Sequence, residues 1–148
     1  MAENPRFPEA IALRSGGITK LTMMDAVLEA CPSFVPQWTE FLEEWSDTDD
    51  KPLYLALSAL ARHLIALLAA EDREGLSRVF AVVERWHVEG DSNVKQAATI
   101  GLLEDLQNSG LHGSTSPEQF EAFLLPESLK WWRKVERFWN HGEVIRED

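Results

Sequence analysis

The chain has 148 residues, 45% of them hydrophobic and 26% charged, and a formal net charge of -11. That length suits one domain able to bury roughly 70% of its unfolded surface, so no disulfide or metal is needed for folding. The negative balance argues against nucleic acid as a partner, because phosphate binding needs a basic footprint. It is compatible with a basic protein partner, and equally with an acidic surface kept for solubility.

Residues 1–21 carry Pro5, Pro8, Gly16 and Gly17 without a sustained period. They read as an arm, with an extended stretch at "AIAL". This N-terminus lacks the long apolar core of a signal peptide. The single cysteine, Cys31, permits no internal disulfide. The longest apolar stretch, 53–70, is interrupted by Arg62 and His63, which argues against a membrane span. These features predict a cytoplasmic protein.

The first helix is expected over 22–31, opened by Thr22 with Asp25 at capping-box spacing and stopped by Pro32. A second, about 34–46, has Phe34, Trp38, Phe41, Leu42 and Trp45 on one face. A third, about 52–70, starts at Pro52 and carries Leu53, Leu57, Leu60, Leu64, Leu67 and Leu68. It is apolar on most sides and therefore central. A fourth, about 72–89, presents Leu76, Val79, Phe80, Val83, Trp86 and His87, with Gly90 as a left-handed cap. Asp91 or Ser92 caps a fifth, about 93–108. A polar, flexible loop, 109–116, precedes Ser116-Pro117 and Gln119, which open a short helix to about Leu125. Pro126 begins the last helix, and 141–148 form a charged tail. The domain is thus 22–140, and the fold class is all-α: a compact bundle of about seven helices with antiparallel hairpins.

In the fifth helix, Val94, Ala98, Leu102 and Leu106 form one stripe, with Ala97 and Gly101 beside it. Such a helix is built to stack. With its Val-basic pair and paired alanines, it resembles the second helix of a HEAT-type repeat, the unit spanning about 72–108. One clear unit is short of the three a solenoid needs, so a HEAT-like bundle is expected instead of an array. Asp105 lies near the packing edge, where it either bonds a neighbouring helix or stays on the rim.

No catalytic motif is present. His63, His87, His112 and His141 form no HExxH pattern, and Cys31 has no CxxC partner. No GxSxG occurs, and "RSGGITK" lacks P-loop spacing. His63 and His87 read as satisfied core histidines. The acid pairs Glu43-Glu44 and Glu104-Asp105 read as solvated helix faces. The expectation is no catalytic residue, no metal and no cofactor.

Two features are less ordinary. Residues 40–50, "EFLEEWSDTDD", hold six acids and no base. Negative charge at a helix C-terminus opposes the dipole, so helix stability does not account for it. Glu43, Glu44, Asp47, Asp49 and Asp50 are candidate partner-binding residues; the plainer reading is a solvated turn. The second feature is "LKWWRKVERFW". Trp131 and Trp132 point about 100° apart on a helix. Either the helix is nearly surrounded and closes the bundle, or one Trp belongs to an aromatic interface.

Together, "EGDSNVKQAATIGLLEDLQN" and "LLPESLKWWRKVERFW" resemble a family of small, uncharacterised bacterial helical domains over about 40–140. Some of its members serve as immunity proteins of toxin systems. The resemblance implies a stoichiometric inhibitor, not an enzyme, that masks a basic toxin domain. The alternative is a HEAT-like adaptor or scaffold for another cytoplasmic protein. Neither reading involves nucleic acid or membrane.

Overall fold

The computed structural model describes residues 17–49 and 51–146. The expected extended stretch at "AIAL" and the candidate Asp50 lie outside them. The chain runs through α1 (Met23–Ala30), a 3-10 turn (Pro32–Phe34), α2 (Val35–Glu44), α3 (Leu53–Ala69) and α4 (Arg73–Glu89). Next, α5 (Ser92–Gln96) passes through a π-helical stretch (Ala97–Leu103) into α6 (Glu104–Leu106). Short 3-10 segments (Ser109–Leu111 and Pro117–Phe123) lead to α7 (Pro126–His141). The fold is all-α; the expected short helix before Pro126 is a 3-10 segment.

The apolar stripes define one core. Leu60, Leu64, Val83 and Leu102 are fully buried, with Trp86, Phe80 and Leu57 among them. Helix α3 is central and packs against the π-helical stretch, α4, α6 and α2. The fifth expected helix leans on α3 more than on α4. Its small residues permit this: a Cβ on Gly101 would come within 2.9 Å of Leu57 Cδ1. Helix α4 packs in turn on α1 and α7. Trp86 Nε1 donates to Met23 O at 3.0 Å, satisfying a buried indole N–H across the α1–α4 seam. At the edge of the next seam, Ser58 Oγ donates to Asp105 Oδ2 at 2.7 Å, so Asp105 does bond a neighbouring helix.

Several ends follow their expected chemistry. Asp91 Oδ1 accepts from Val94 N at 2.9 Å and Asp72 Oδ1 from Gly75 N at 3.0 Å, each satisfying an orphan helix donor. Gln119 Oε1 accepts from Ser116 N at 2.7 Å. Others differ. Thr22 makes no side-chain cap; its hydroxyl turns back to Thr19 O at 3.3 Å. Gly90 is extended (φ -75°, ψ 156°) and not left-handed. Its need is space: a Cβ there would lie 2.5 Å from both Trp86 O and Val94 Cγ1. Ile18 pairs with this turn, donating to Glu89 O at 3.3 Å and accepting from Asp91 N at 3.0 Å. The loop 109–116 is tied down by His112, whose Nε2 donates to Leu106 O at 2.9 Å while Nδ1 meets Thr115 Oγ1 at 2.7 Å.

The left-handed position after α3 falls to Glu71 (φ 61°), which is exposed. A side chain there costs steric energy that glycine avoids. Glu71→Gly is expected to be neutral or to stabilise by up to about 1 kcal/mol, the strain relieved being partly offset by glycine's unfolded-state entropy. Urea unfolding of the variant measures this, and a clear loss of stability would contradict the strain argument.

Candidate functional site

The acidic candidates sit where α2 ends and turns toward α3. Glu43, Glu44, Asp47 and Asp49 are all exposed. Lys51, just past the cluster, forms no ion pair with the described acids: its Nζ donates to the carbonyls of Trp45 (3.2 Å) and Thr48 (2.9 Å). It thereby satisfies the end of α2 and holds the turn. Two apolar side chains follow immediately on α3 and remain accessible, Tyr54 at 43% and Leu55 at 52%. Burial, and then the Glu104 carboxylate, push the Tyr54 hydroxyl up from its ordinary pKa. Glu104 is itself raised by burial and by Asp105. Acidic groups therefore flank Tyr54 on a second side as well.

The tryptophan candidates are placed differently from an exposed interface. Trp131 is 8% and Trp132 1% exposed. The helix is not surrounded, since Lys130, Arg133 and residues 137–141 are exposed; both rings are nevertheless buried, Trp132 against the 3-10 segment Pro117–Phe123 and Trp131 beside His87. Phe120 meets the Trp132 ring edge-on at 6.5 Å, and Trp132 Nε1 donates to Glu121 Oε2 at 3.3 Å. Hydrogen bonds from Arg133 above all, and from Trp132, hold Glu121 below the usual carboxylate range. Neither Trp131 nor Trp132 is free to offer its ring to a protein surface. The accessible aromatics of α7 are Phe138 and, at 50%, Trp139.

Trp131 lies instead at the edge of a cavity of about 300 Å³ between the end of α4, the π-helical stretch, the start of α7 and the tail after it. Its inner end is His87. This imidazole is buried, with Nδ1 3.0 Å from Ser128 Oγ and Nε2 3.2 Å from Thr99 Oγ1. It runs parallel to the Trp131 ring at 6.3 Å. Burial pushes its pKa down to about 4, so it is neutral at pH 7. Glu84 organises the same corner, accepting from Glu127 N (3.0 Å) and Ser128 N (2.8 Å) at the open start of α7. Sequence reasoning placed His87 in the core but missed its partners, which come from two other segments, the π-helical stretch and α7. The wide turn that presents Thr99 is a π-helical insertion, a type often found at functional sites.

His63, the other core candidate, is half-buried and ties α3 to the α1–α2 corner. Its Nε2 lies 2.8 Å from Ser33 Oγ, and that hydroxyl lies 3.3 Å from the buried Cys31 thiol. Burial lowers its pKa as well.

What these elements define is a small all-helical domain with an acidic turn on one face and a basic-rimmed cavity on another. The chain belongs to the family described as a domain of unknown function, DUF7674, whose model matches residues 24–140. The match reaches further toward the N-terminus than the 40–140 resemblance seen in the sequence and takes in α1 and α2. No curated protein and no solved structure matches the chain. No helix among the described residues is long and apolar enough to cross a membrane.

Proposed function

We propose that this domain is a stoichiometric protein-binding inhibitor of immunity or antitoxin type, masking a basic partner such as a toxin domain with its α2–α3 edge. The observation that supports this is the exposure of Glu43, Glu44, Asp47 and Asp49 together, beside accessible Tyr54 and Leu55. Carboxylates around an accessible aromatic and a leucine match the polar rim and apolar centre of a protein interface. Like charges held together by folding repel one another, and a basic surface would relieve that repulsion. Long-range attraction from a chain of net charge -11 would speed the encounter.

The test begins with capture and identification of the bound protein. Next come association kinetics at low and high salt for wild type and for a variant carrying amides at Glu43, Glu44, Asp47, Asp49 and Asp50. The variant should fold normally, associate about tenfold more slowly at low salt and lose most of the salt dependence. Wild-type rates at both salts would reduce the turn to solvated surface. An adaptor bridging two proteins is the second reading, supported by the accessible Phe138–Trp139 pair, its rings 5.9 Å apart near the end of α7. A toxin gene beside this one favours the inhibitor; a housekeeping neighbourhood favours the adaptor.

A further inference from the structure

The cavity beside Trp131 is unlike the rest of the surface. In a chain with 25 acids and 14 Lys and Arg residues, its rim gathers Lys95 and Arg146. The side chains of these two make no ion pair or hydrogen bond among the described residues. Lys134 and Lys130 stand over the Trp131 ring, at 4.3 and 5.6 Å from its centroid. Lys130 also pairs with Glu127, and the neighbouring arginines of α7 pair with acids: Arg133 with Glu121 (3.1 Å) and Glu136 (2.9 Å), and Arg137 with Glu143 (3.0 Å). Among the described residues, the carboxylate lining the cavity is Glu127, which lies 3.5 Å from Lys130 Nζ and 3.4 Å from Trp131 Nε1. Among the described residues, the cavity lining thus carries two cations, Lys95 and Arg146, against one carboxylate, a local excess of positive charge in an acidic chain.

The walls specify what kind of anion. Trp131, Ile100 and Ile145 supply apolar surface. The tail carrying Ile145 and Arg146 is folded back over α7 by Lys134 Nζ, which donates to Arg146 O at 2.7 Å. That strap makes a slot out of what would otherwise be an open groove. Its volume of about 300 Å³ is at the lower end of the range for small-molecule sites. It admits a compact ligand, not a protein segment of any length.

We infer that this cavity binds a small organic anion with a flat apolar body, its carboxylate held by Lys95 and Arg146 and its body against Trp131, Ile100 and Ile145. This site is separate from the acidic edge and does not depend on the reading of that edge. The probe is 2-naphthoate, with 2-naphthylmethanol as its neutral counterpart and inorganic phosphate as an anion without an apolar body. Binding is followed by amide and indole N–H chemical shifts on the full chain. Saturable shifts from 2-naphthoate are expected at Lys95, Thr99 and the Trp131 indole. The alcohol and phosphate should each bind at least about tenfold more weakly. Substituting both half-buried Lys95→Gln and exposed Arg146→Gln should weaken 2-naphthoate by about tenfold or more and flatten its salt dependence, with the unfolding midpoint unchanged. The inference is overturned by equal affinity for acid and alcohol, by shifts confined to other parts of the molecule, by unaltered binding to the double variant, or by no saturable shift at millimolar 2-naphthoate.

Discussion

Truncating Leu64 to alanine is expected to destabilise the fold by about 2–5 kcal/mol, through lost transfer energy plus the cavity left behind. Leu64 is fully buried in α3, the helix packed against the π-helical stretch, α4, α6 and α2. Its neighbours belong to different elements, each anchored elsewhere. The Trp86–Met23 bond fixes α4 on α1, and the Ser58–Asp105 bond fixes α3 on α6. Collapse around the void is therefore restricted, which puts the cost in the upper part of that range. The control is Leu55→Ala on the same helix, at a side chain 52% exposed, expected to cost under about 1 kcal/mol because little apolar area leaves water there. Urea unfolding of both variants measures the difference. A cost under about 0.5 kcal/mol at Leu64 would mean that α3 is not the centre of the core.

The helices were legible because their apolar residues recur at helical spacing and their ends carry recognisable chemistry. Asp91, Pro52, Ser116 and Pro126 all mark starts that the structure places within a residue or two. What escaped were features with no local signature. The stripe Val94, Ala98, Leu102 and Leu106 satisfies an ordinary α period, so nothing in it announces the π-helical turn at Ala97–Leu103. Gly90 reads as a left-handed cap because glycine usually ends helices that way; here the absent side chain makes room for Trp86 O and Val94. Burial of both Trp131 and Trp132 depends on tertiary partners, His87 beside the first and Phe120 and Glu121 beside the second. The cavity is the extreme case, since its lining comes from α4, α5, the π-helical stretch, α7 and the tail. The acidic turn, by contrast, is local, and its exposure was readable from composition alone.

His87 should make the fold sensitive to mild acid. Its two nitrogens face Ser128 and Thr99 hydroxyls, each of which can donate or accept, so hydrogen bonding alone would tolerate either protonation state. Burial disfavours the charged form and outweighs the attraction of the Glu84 and Glu127 carboxylates, while Lys95 adds repulsion; the result is a pKa of about 4. In the unfolded chain the imidazole titrates near its ordinary value of about 6.5. Between these two values the unfolded state binds the extra proton. Stability therefore rises with pH through this window, is fully present above about 6.5, and is lost as pH falls toward about 4. A shift of that size corresponds to about 3 kcal/mol. His63 is shifted in the same direction, Asp25 and Glu104 are raised by burial, and Glu121 is lowered by its Arg133 hydrogen bonds. Their effects cancel when wild type is compared with His87→Gln, which keeps polar atoms near both hydroxyls and cannot titrate. The variant should be less stable than wild type at pH 7.5, because the glutamine packs less well beside Trp131. Its unfolding free energy should nevertheless fall less steeply between pH 6.5 and 4, closing the gap by about 3 kcal/mol. Parallel stability curves across that window would show that His87 takes up its proton in the folded state as readily as in the unfolded one, and the buried, neutral imidazole beside Trp131 would have to be abandoned.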